Sequence, residues 1–498
     1  MESFKKQIAK NSLLDEIRIN KDIFEFFEKK VLKGKNYQDK LANARKAVDF
    51  ALKNATSYYS SEIIEQFYRE IANKYTIDVT ELVPKKNSFL HVVTRVFSVG
   101  GHSRVVERWI KNSEGGTHSV VFLDQKISDV PQLLRENVEE KSGELFDLSK
   151  ILDPVEKGLA LRRIGMDYEY VILHVHMDDF TPIVAFGNEE FTRPIIFINH
   201  ADHQFWLGGC VSDIVINLRM WGEKLNIERR GVSNNILLEI PIETKSCNFK
   251  NVSIREIHGI SPHEKLILTI GNEYKYGPSV SYDFIGTIRK ILRKHPDTKF
   301  LAIGPSPSSS MWKIAEKVTE GKIKAIGTVP YENIFSYIQS CDLYLDSFPF
   351  FGGTTLIDVI LSGAPALSLS TPSGQSDYVR ESVVFCEDEE QLMKKASIIL
   401  NSKEHSRYHC ENASESLLQR SSVTSWQNKL SSIIEKIPQT HKVYCINPTA
   451  KIDEFDILLC ELAKNIEKPN KKRKLLMQKF KREIFYIQAK INKNLSKR

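Results

Sequence analysis

Residues 346–365 read DSFPFFGGTTLIDVILSGAP, a stretch whose residue types suit the gripping of a diphosphate. Gly352 and Gly353 let backbone approach an anion with no Cβ in the way. Thr354 and Thr355 add two hydroxyl donors where the pattern LIDVIL predicts a helix to begin. A helix N-terminus offers backbone N–H groups and the positive end of the helix dipole. Asp358, one turn further on, carries a carboxylate able to accept from both hydroxyls of a ribose. Gly363-Ala364-Pro365 supplies a glycine stop. Two other loops belong with this one. GNEYKYGP at 271–278 holds Asn272 and Lys275, and STPSGQSD at 370–377 holds Ser373 and Gln375. A lysine in a loop is ordinarily solvated, and paired glycines before a helix are often a plain turn. Here each loop directly follows an expected strand, which favours a ligand. Asp346 reads as a cap on the strand DLYLD.

A second set of candidates lies earlier in the chain. Ser98-Val99-Gly100-Gly101-His102 follows the apolar run FLHVVTRVF, with Arg104 two residues on. His174 and His176 share a strand face because side chains alternate with period two. A metal pair needs a third ligand, and none stands at matching spacing, so neither metal nor cofactor is expected. Asn199-His200-Ala201-Asp202-His203 ends the strand PIIFINH. Histidine titrates near neutrality and suits the removal of a proton from a hydroxyl. His200 is the first choice as that base, followed by His203 and His102, with Asp202 or Asp178 to orient it. A strand-end histidine satisfied by its surroundings is the competing reading.

The elements that must carry these loops are legible in outline. Residues 1–85 have helical spacing and no glycine except Gly34. From Phe89 to about 216, strands alternate with helices, and a second such series starts at 265. Two parallel, doubly wound sheets are therefore expected: an α/β chain with two Rossmann-like domains. The stretch 232–262 looks like a linker, and SVTSWQNKLSSIIEKI like a closing amphipathic helix. The domain plan is a helical region at 1–85, a Rossmann-like unit at 86–240, a second at 241–437, and a C-terminal extension at 438–498. Open sheets of this kind bind ligands outside the carboxyl ends of their strands.

On these residues the stretch from Leu266 to about Val384 resembles the catalytic C-terminal half of the O-GlcNAc transferase family, including its bacterial protein-glycosylating relatives. Tyr274-Lys275-Tyr276-Gly277-Pro278 is similar to the family's diphosphate lysine. Gly352-Gly353-Thr354-Thr355 is similar to its pyrophosphate loop, and Asp358 to its ribose carboxylate. The resemblance implies the GT-B architecture and sugar transfer from a nucleotide-diphosphate sugar, UDP being the expected nucleotide, with no metal required. It also implies that Gly100 and Gly101 face the donor phosphates and that His200 is presented to the sugar. The chain departs from the pattern in two places. Gly353 replaces the histidine that often precedes the threonines, and no tetratricopeptide repeats come first. Retaining GT-B enzymes usually carry two glutamates eight residues apart here; with Asp358 as the second, Phe350 occupies the first place, which favours inversion. The expected activity is hexosyl or N-acetylhexosaminyl transfer to a surface glycan or lipid-linked acceptor. Protein acceptors, a nucleotide-sugar epimerase and a non-catalytic nucleotide-sugar binder stay open.

Charge is distributed unevenly. The 498 residues carry a net +7, yet 471–498 alone hold eleven Lys or Arg against one acid, Glu483. The body is close to neutral, which argues against a nucleic-acid groove. In the tail, Leu476, Phe480, Ile484, Ile487, Ile491 and Leu495 form one helical stripe ringed by basic residues. A basic amphipathic helix of this kind favours an anionic membrane surface, with a partner helix, packing on the body or disorder as alternatives. Seven scattered cysteines without CxxC spacing and a charged N-terminus without an apolar core fit a cytoplasmic protein, peripheral on the membrane's inner face at most.

Overall fold

The computed structural model describes residues 2–76, 83–97, 101–243, 253–374 and 382–466. Among these residues the strands form two all-parallel sheets. The first holds β1 (Lys85–Val93), β2 (Thr117–Phe122), β3 (Leu145–Asp147), β4 (Tyr168–His174), β5 (Ile195–Asn199), β6 (Ile214–Asn217) and β7 (Asn235–Leu237), in the order β3-β2-β1-β4-β5-β6-β7. The second holds β8 (Lys265–Ile270), β9 (Thr298–Ile303), β10 (Ile323–Gly327), β11 (Leu343–Leu345), β12 (Ala366–Leu369) and β13 (Phe385–Cys386), in the order β10-β9-β8-β11-β12-β13. Each sheet starts in its middle, winds outward one way and then the other, as Rossmann-like sheets do. The two expected Rossmann-like domains are therefore present. Their strands are apolar on both faces because helices cover both; every position of β5 is buried. Two strands escape the sequence reading, β3 and β7. Both have three residues, too few to show a period, and β7 lies inside the stretch expected to be a linker.

The helices Glu2–Lys33, Tyr37–Lys53 and Glu62–Ala72 cover one face of the first sheet, where Phe24, Ile64 and Tyr68 join a core with Leu90, Val92 and Val171. A buried carboxylate ties this helical region to the domain. Glu65 accepts hydrogen bonds from the backbone N–H groups of Gly208, Gly209 and Cys210 at 2.9, 3.2 and 2.7 Å. Burial raises its pKa, and the hydrogen bonds oppose that rise. The chain after 438 comes back to the same side. His441 Nδ1 lies 2.8 Å from Asp213, and the helix Glu454–Ile466 packs Ile457 and Cys460 against Leu13 and Ile17. Residues 471–498, with their expected amphipathic stripe, lie outside the described residues. Among the described residues no helix is long and apolar enough to cross a membrane.

The other face of the first sheet shares its core with the second domain. Phe89, Ile172 and Ile196 pack with Leu266, Leu268 and Trp426, and Trp109 meets Trp426 edge-on at 5.4 Å. The closing helix appears as Val423–Ile434 and bridges the two units. Buried in this face is a row of imidazoles from three neighbouring strands. His91 Nε2 is 2.9 Å from His118 Nδ1, and His91 Nδ1 is 3.0 Å from His174 Nε2. Each bond needs one ring nitrogen as donor and the other as acceptor, a pattern that three neutral rings satisfy. Burial drives the pKa values of His91 and His174 well below the ordinary value and lowers that of His118 to about 4, with Lys141 adding to the last shift.

The unfolded chain therefore binds more protons at His118 between its ordinary value of 6.5 and about 4, and this site's stability is lost as pH falls through that window. Wild type is expected to melt above His118→Gln at about pH 7.5, with the stability gap narrowing by about 2 kcal/mol at about pH 4.5. Circular-dichroism melts at both pH values test this, and a gap that does not change with pH contradicts it.

Candidate active site

The carboxyl ends of both sheets open onto a cavity of about 350 Å³ between the domains. Lys275, Gly352, Gly353, Thr354 and Ser373 line it from the second domain. Gly101, His102, His200 and His203 line it from the first.

On the second-domain side the turn after β11 is moulded around Asp346. This carboxylate is buried; its Oδ1 accepts from the N–H groups of Ser347 at 3.0 Å and Gly352 at 2.8 Å, and its Oδ2 from Ser368 Oγ at 3.0 Å. Burial raises its pKa to about 6, against the attraction of Lys275 and these hydrogen bonds. A Cβ on Gly352 would stand 2.4 Å from Asp346 Oδ1, so no side chain fits there. Gly353 has φ 57° and ψ −115°, a conformation open only to glycine, and it caps the helix Thr354–Leu361. The Gly-Gly pair thus aims the start of that helix at the cavity. Lys275, after β8, donates from Nζ to the Phe351 carbonyl at 2.9 Å. Its pKa is lowered by burial, while Asp346 pulls the other way. The strand-end cap expected of Asp346 is the role it plays.

On the first-domain side, His102 Nε2 donates to the His174 carbonyl at 2.8 Å, which leaves Nδ1 as the acceptor nitrogen. Its ring lies 4.1 Å from that of His200. His200 Nδ1 faces the Ile198 carbonyl at 3.3 Å, leaving Nε2 as its lone-pair nitrogen. Burial lowers His102 to about 4; burial, with His102 and His174 beside it, puts His200 well below the ordinary range. His203 is more open, with a side chain 41% exposed and Nδ1 3.5 Å from Asp202 Oδ1. Asp202 is clamped by Arg219, whose Nε donates to Oδ2 at 2.7 Å and Nη2 to Oδ1 at 2.5 Å. Burial alone would raise the Asp202 pKa, but Arg219 and His203 outweigh it and hold the carboxyl well below its usual value.

Several expected residues stand elsewhere. Asn272 is exposed and, like Thr355, does not line the cavity. Asp358 is also off the lining, one turn down its helix, where its Oδ2 lies 3.7 Å from Arg104 Nη1 of the first domain. The Ser373 hydroxyl is buried and donates to the Pro349 carbonyl at 2.8 Å, so its hydrogen bond ties its loop to the turn after β11. Gly100 and Gln375 lie outside the described residues. Asp178 is exposed, and the carboxylate within reach of a histidine is Asp202, next to His203 and not His200. His174 is buried in the imidazole row. Among the described residues no group of three or more His, Cys, Asp or Glu is placed to hold a metal ion.

The residue that sequence reasoning passed over is Arg219. It follows β6 and reaches the second domain, with its guanidinium 4.6 Å from the Phe351 ring and Nη1 donating to the Ser373 carbonyl at 3.4 Å. Its position just past the carboxyl end of the strand DIVINL was the available signal.

No protein-family model matches the sequence, and no curated protein matches it. The similarity is one of shape. A mutant O-GlcNAc transferase from Thermobaculum terrenum aligns with a TM-score of 0.52 at 11% identity, over 93% of this chain and 99% of that chain. Anabaena HepE in complex with UDP and glucose gives 0.51 at 12% identity, over 70% and 99%. A glycosyltransferase from Rickettsia africae gives 0.51 at 12% identity, over 71% and 98%. The fold is thus the GT-B arrangement, two Rossmann-like domains facing each other across a cleft.

The Gly353 backbone fixes the mouth of the cleft independently of any ligand. Gly353→Ala is expected to lower stability by about 1–3 kcal/mol, the usual cost of forcing an L-residue into such a conformation. Urea denaturation of both forms measures it, and an unchanged midpoint would show that the turn does not need its glycine.

Proposed function

We propose that the protein is an inverting glycosyltransferase that takes a sugar from a nucleotide-diphosphate sugar, with UDP as the nucleotide, and delivers it to a glycan hydroxyl. One observation carries this reading: a glycine turn at a helix start, with a half-buried lysine beside it, stands on one wall of a cavity whose other wall holds lone-pair histidines. The fold shared with HepE, seen with UDP and glucose, supports the choice of nucleotide.

In this reading the diphosphate sits against Gly352, Gly353 and Thr354, where backbone N–H groups and the helix dipole favour negative charge. Lys275 turns from the Phe351 carbonyl to the leaving oxygens, and Arg219 adds positive charge from the opposite wall. Charge that grows on the departing diphosphate is thereby met by groups already in place. His203 is the better base. Asp202 holds its Nδ1 side, its Nε2 is free to take a proton, and its exposure keeps it reachable by an acceptor. His200 and His102 are more enclosed, and burial disfavours the charged imidazolium that a base must become. The acceptor O–H proton passes to His203 Nε2. The acceptor oxygen bonds to the anomeric carbon, and the bond from that carbon to the diphosphate breaks with its electron pair on the phosphate oxygen. No carboxylate stands at Phe350 on the cavity wall, in keeping with a single displacement.

UDP is expected to raise the melting temperature, since a ligand of the folded state stabilises it. Lys275→Ala should cut turnover by about 10²–10³-fold with little loss of fold. A thermal-shift screen over nucleotides and a donor-consumption assay check both; no shift with any nucleotide sinks the reading.

His203→Asn should lower kcat by about 10²–10⁴-fold while leaving the UDP-induced shift in place. His200→Asn should cost far less. Steady-state kinetics on the two variants tests the assignment, and the reverse order would move the base to His200.

A further inference from the structure

A second cavity, of about 450 Å³, adjoins the first and shares His203, Tyr274 and Leu462 with it. Besides Gln204 and Phe205 of the first Rossmann-like unit, its walls come from residues 51–59, the end of the helix Tyr37–Lys53 and the chain that follows it, and from the helix Glu454–Ile466. We propose that this cavity is an acceptor site for an uncharged oligosaccharide, placing the hydroxyl to be glycosylated at His203; the proposal rests on the transferase reading above.

The wall is built to hold a shape. Ser57 has φ 63°, a conformation that L-residues rarely adopt and that costs energy unless the surroundings impose it. The surroundings do impose it. Arg229 Nη2 donates to the Ser57 carbonyl at 2.9 Å, while Trp206 N and Arg230 Nε donate to the Tyr59 carbonyl at 3.1 and 3.3 Å. The Tyr59 hydroxyl donates to Asp456 at 2.9 Å, fixing the segment to the C-terminal helix. That helix in turn reaches the second domain, where Val280 N donates to Glu461 Oε1 at 2.8 Å. The strained residue lines the cavity, and its hydroxyl, on a side chain 1% exposed, has no hydrogen-bond partner among the described residues. A buried hydroxyl without a partner costs free energy, which marks this wall as held in place by its surroundings and not by its own contacts.

The lining chooses the ligand class. Tyr58 and Tyr274 bring aromatic rings to the wall, and Asn54 and Gln204 bring short neutral polar side chains. Sugars present that same mixture, with C–H faces to stack on aromatic rings and hydroxyls on the rim. Lys53 is the one ionisable Lys, Arg, Asp or Glu on the described lining, which disfavours a charged ligand. The volume is within the roughly 300–1,000 Å³ of small-molecule sites.

The test uses the full chain with maltose, cellobiose and N,N′-diacetylchitobiose as probes. Saturation-transfer NMR reports their binding with and without UDP. Ala463→Trp and Ala51→Trp fill the cavity from two different helices, and neither residue lines the donor cavity. At least one disaccharide should bind wild type, and both variants should weaken that binding about tenfold or more while keeping the UDP thermal shift. Retention of the shift also shows that the variants are folded. The proposal is overturned if no disaccharide binds wild type or if both variants bind it as well as wild type does. Binding of a serine-containing peptide that both substitutions abolish, with none by the sugars, overturns it in favour of a protein acceptor. Loss of the UDP shift in wild type counts against the donor reading alone, because the disaccharides are also measured without nucleotide.

Discussion

The buried carboxylate of Asp346 is the constraint on which the cleft depends. An ionisable group taken out of water has to be satisfied by local donors, and here those donors are the chain that follows it. The N–H of Gly352 is drawn back onto the strand end, which forces the chain to double over within six residues. That closeness excludes any side chain at 352, and the positive φ at 353 then turns the chain into its helix. The residues need not be glycine for flexibility; they are glycine because a carboxylate occupies the space a Cβ would take and because the exit direction is closed to L-residues. The positive end of the helix, the lysine beside it and the cavity share one corner as a result.

The opposite wall is placed by the apolar face that the two domains share. Trp109, Trp426 and the strand residues beneath them form a single core, so the cavity is the gap left where two rigid sheets meet and not a groove on either one. Packed interiors resist small displacement, which makes this gap a defined one. The ion pair between Arg104 and Asp358 lies on the same seam. The helices before β1 and after 438 add a further rim, and they are joined to the domains by buried charges: Glu65 on three backbone N–H groups, Asp213 with His441, and Arg229 with Asp456. Truncating Glu65 would leave three buried backbone N–H groups without their acceptor, which is far costlier than losing a surface contact.

How much of this was legible in the sequence follows from the reach of each interaction. The long, apolar strands announce themselves, because a strand buried on both faces has little choice of residue. The turn at 352–358 announces itself too, since glycine pairs and helix starts are local. β3 and β7 do not, having only three residues each and depending on their neighbours for pairing. The contribution of residues 51–59 is equally hidden. Nothing in SYYSSE marks a cavity wall; its conformation is set by Arg229 and Arg230, more than 170 residues away. Asp358 shows the same limit from the other side. Its spacing from the threonines suited a ribose, whereas it lies 3.7 Å from Arg104 of the other domain, a contact that no local pattern encodes.

Arg219 illustrates how the two walls act on one another. Its guanidinium is planar, and it uses that plane twice: the edge forks onto Asp202 in its own domain, and the face rests 4.6 Å from Phe351 in the other. Phe351 is the residue whose carbonyl holds Lys275. A shift of that loop toward an incoming diphosphate would therefore alter the packing of Arg219 as it released Lys275. Asp202 is shared between Arg219 and His203, so any weakening of the first contact strengthens the hold of the carboxylate on the second. The two walls are thus joined through a single side chain, and a lysine in place of Arg219, lacking the fork and the flat face, would break that link even though it kept the charge.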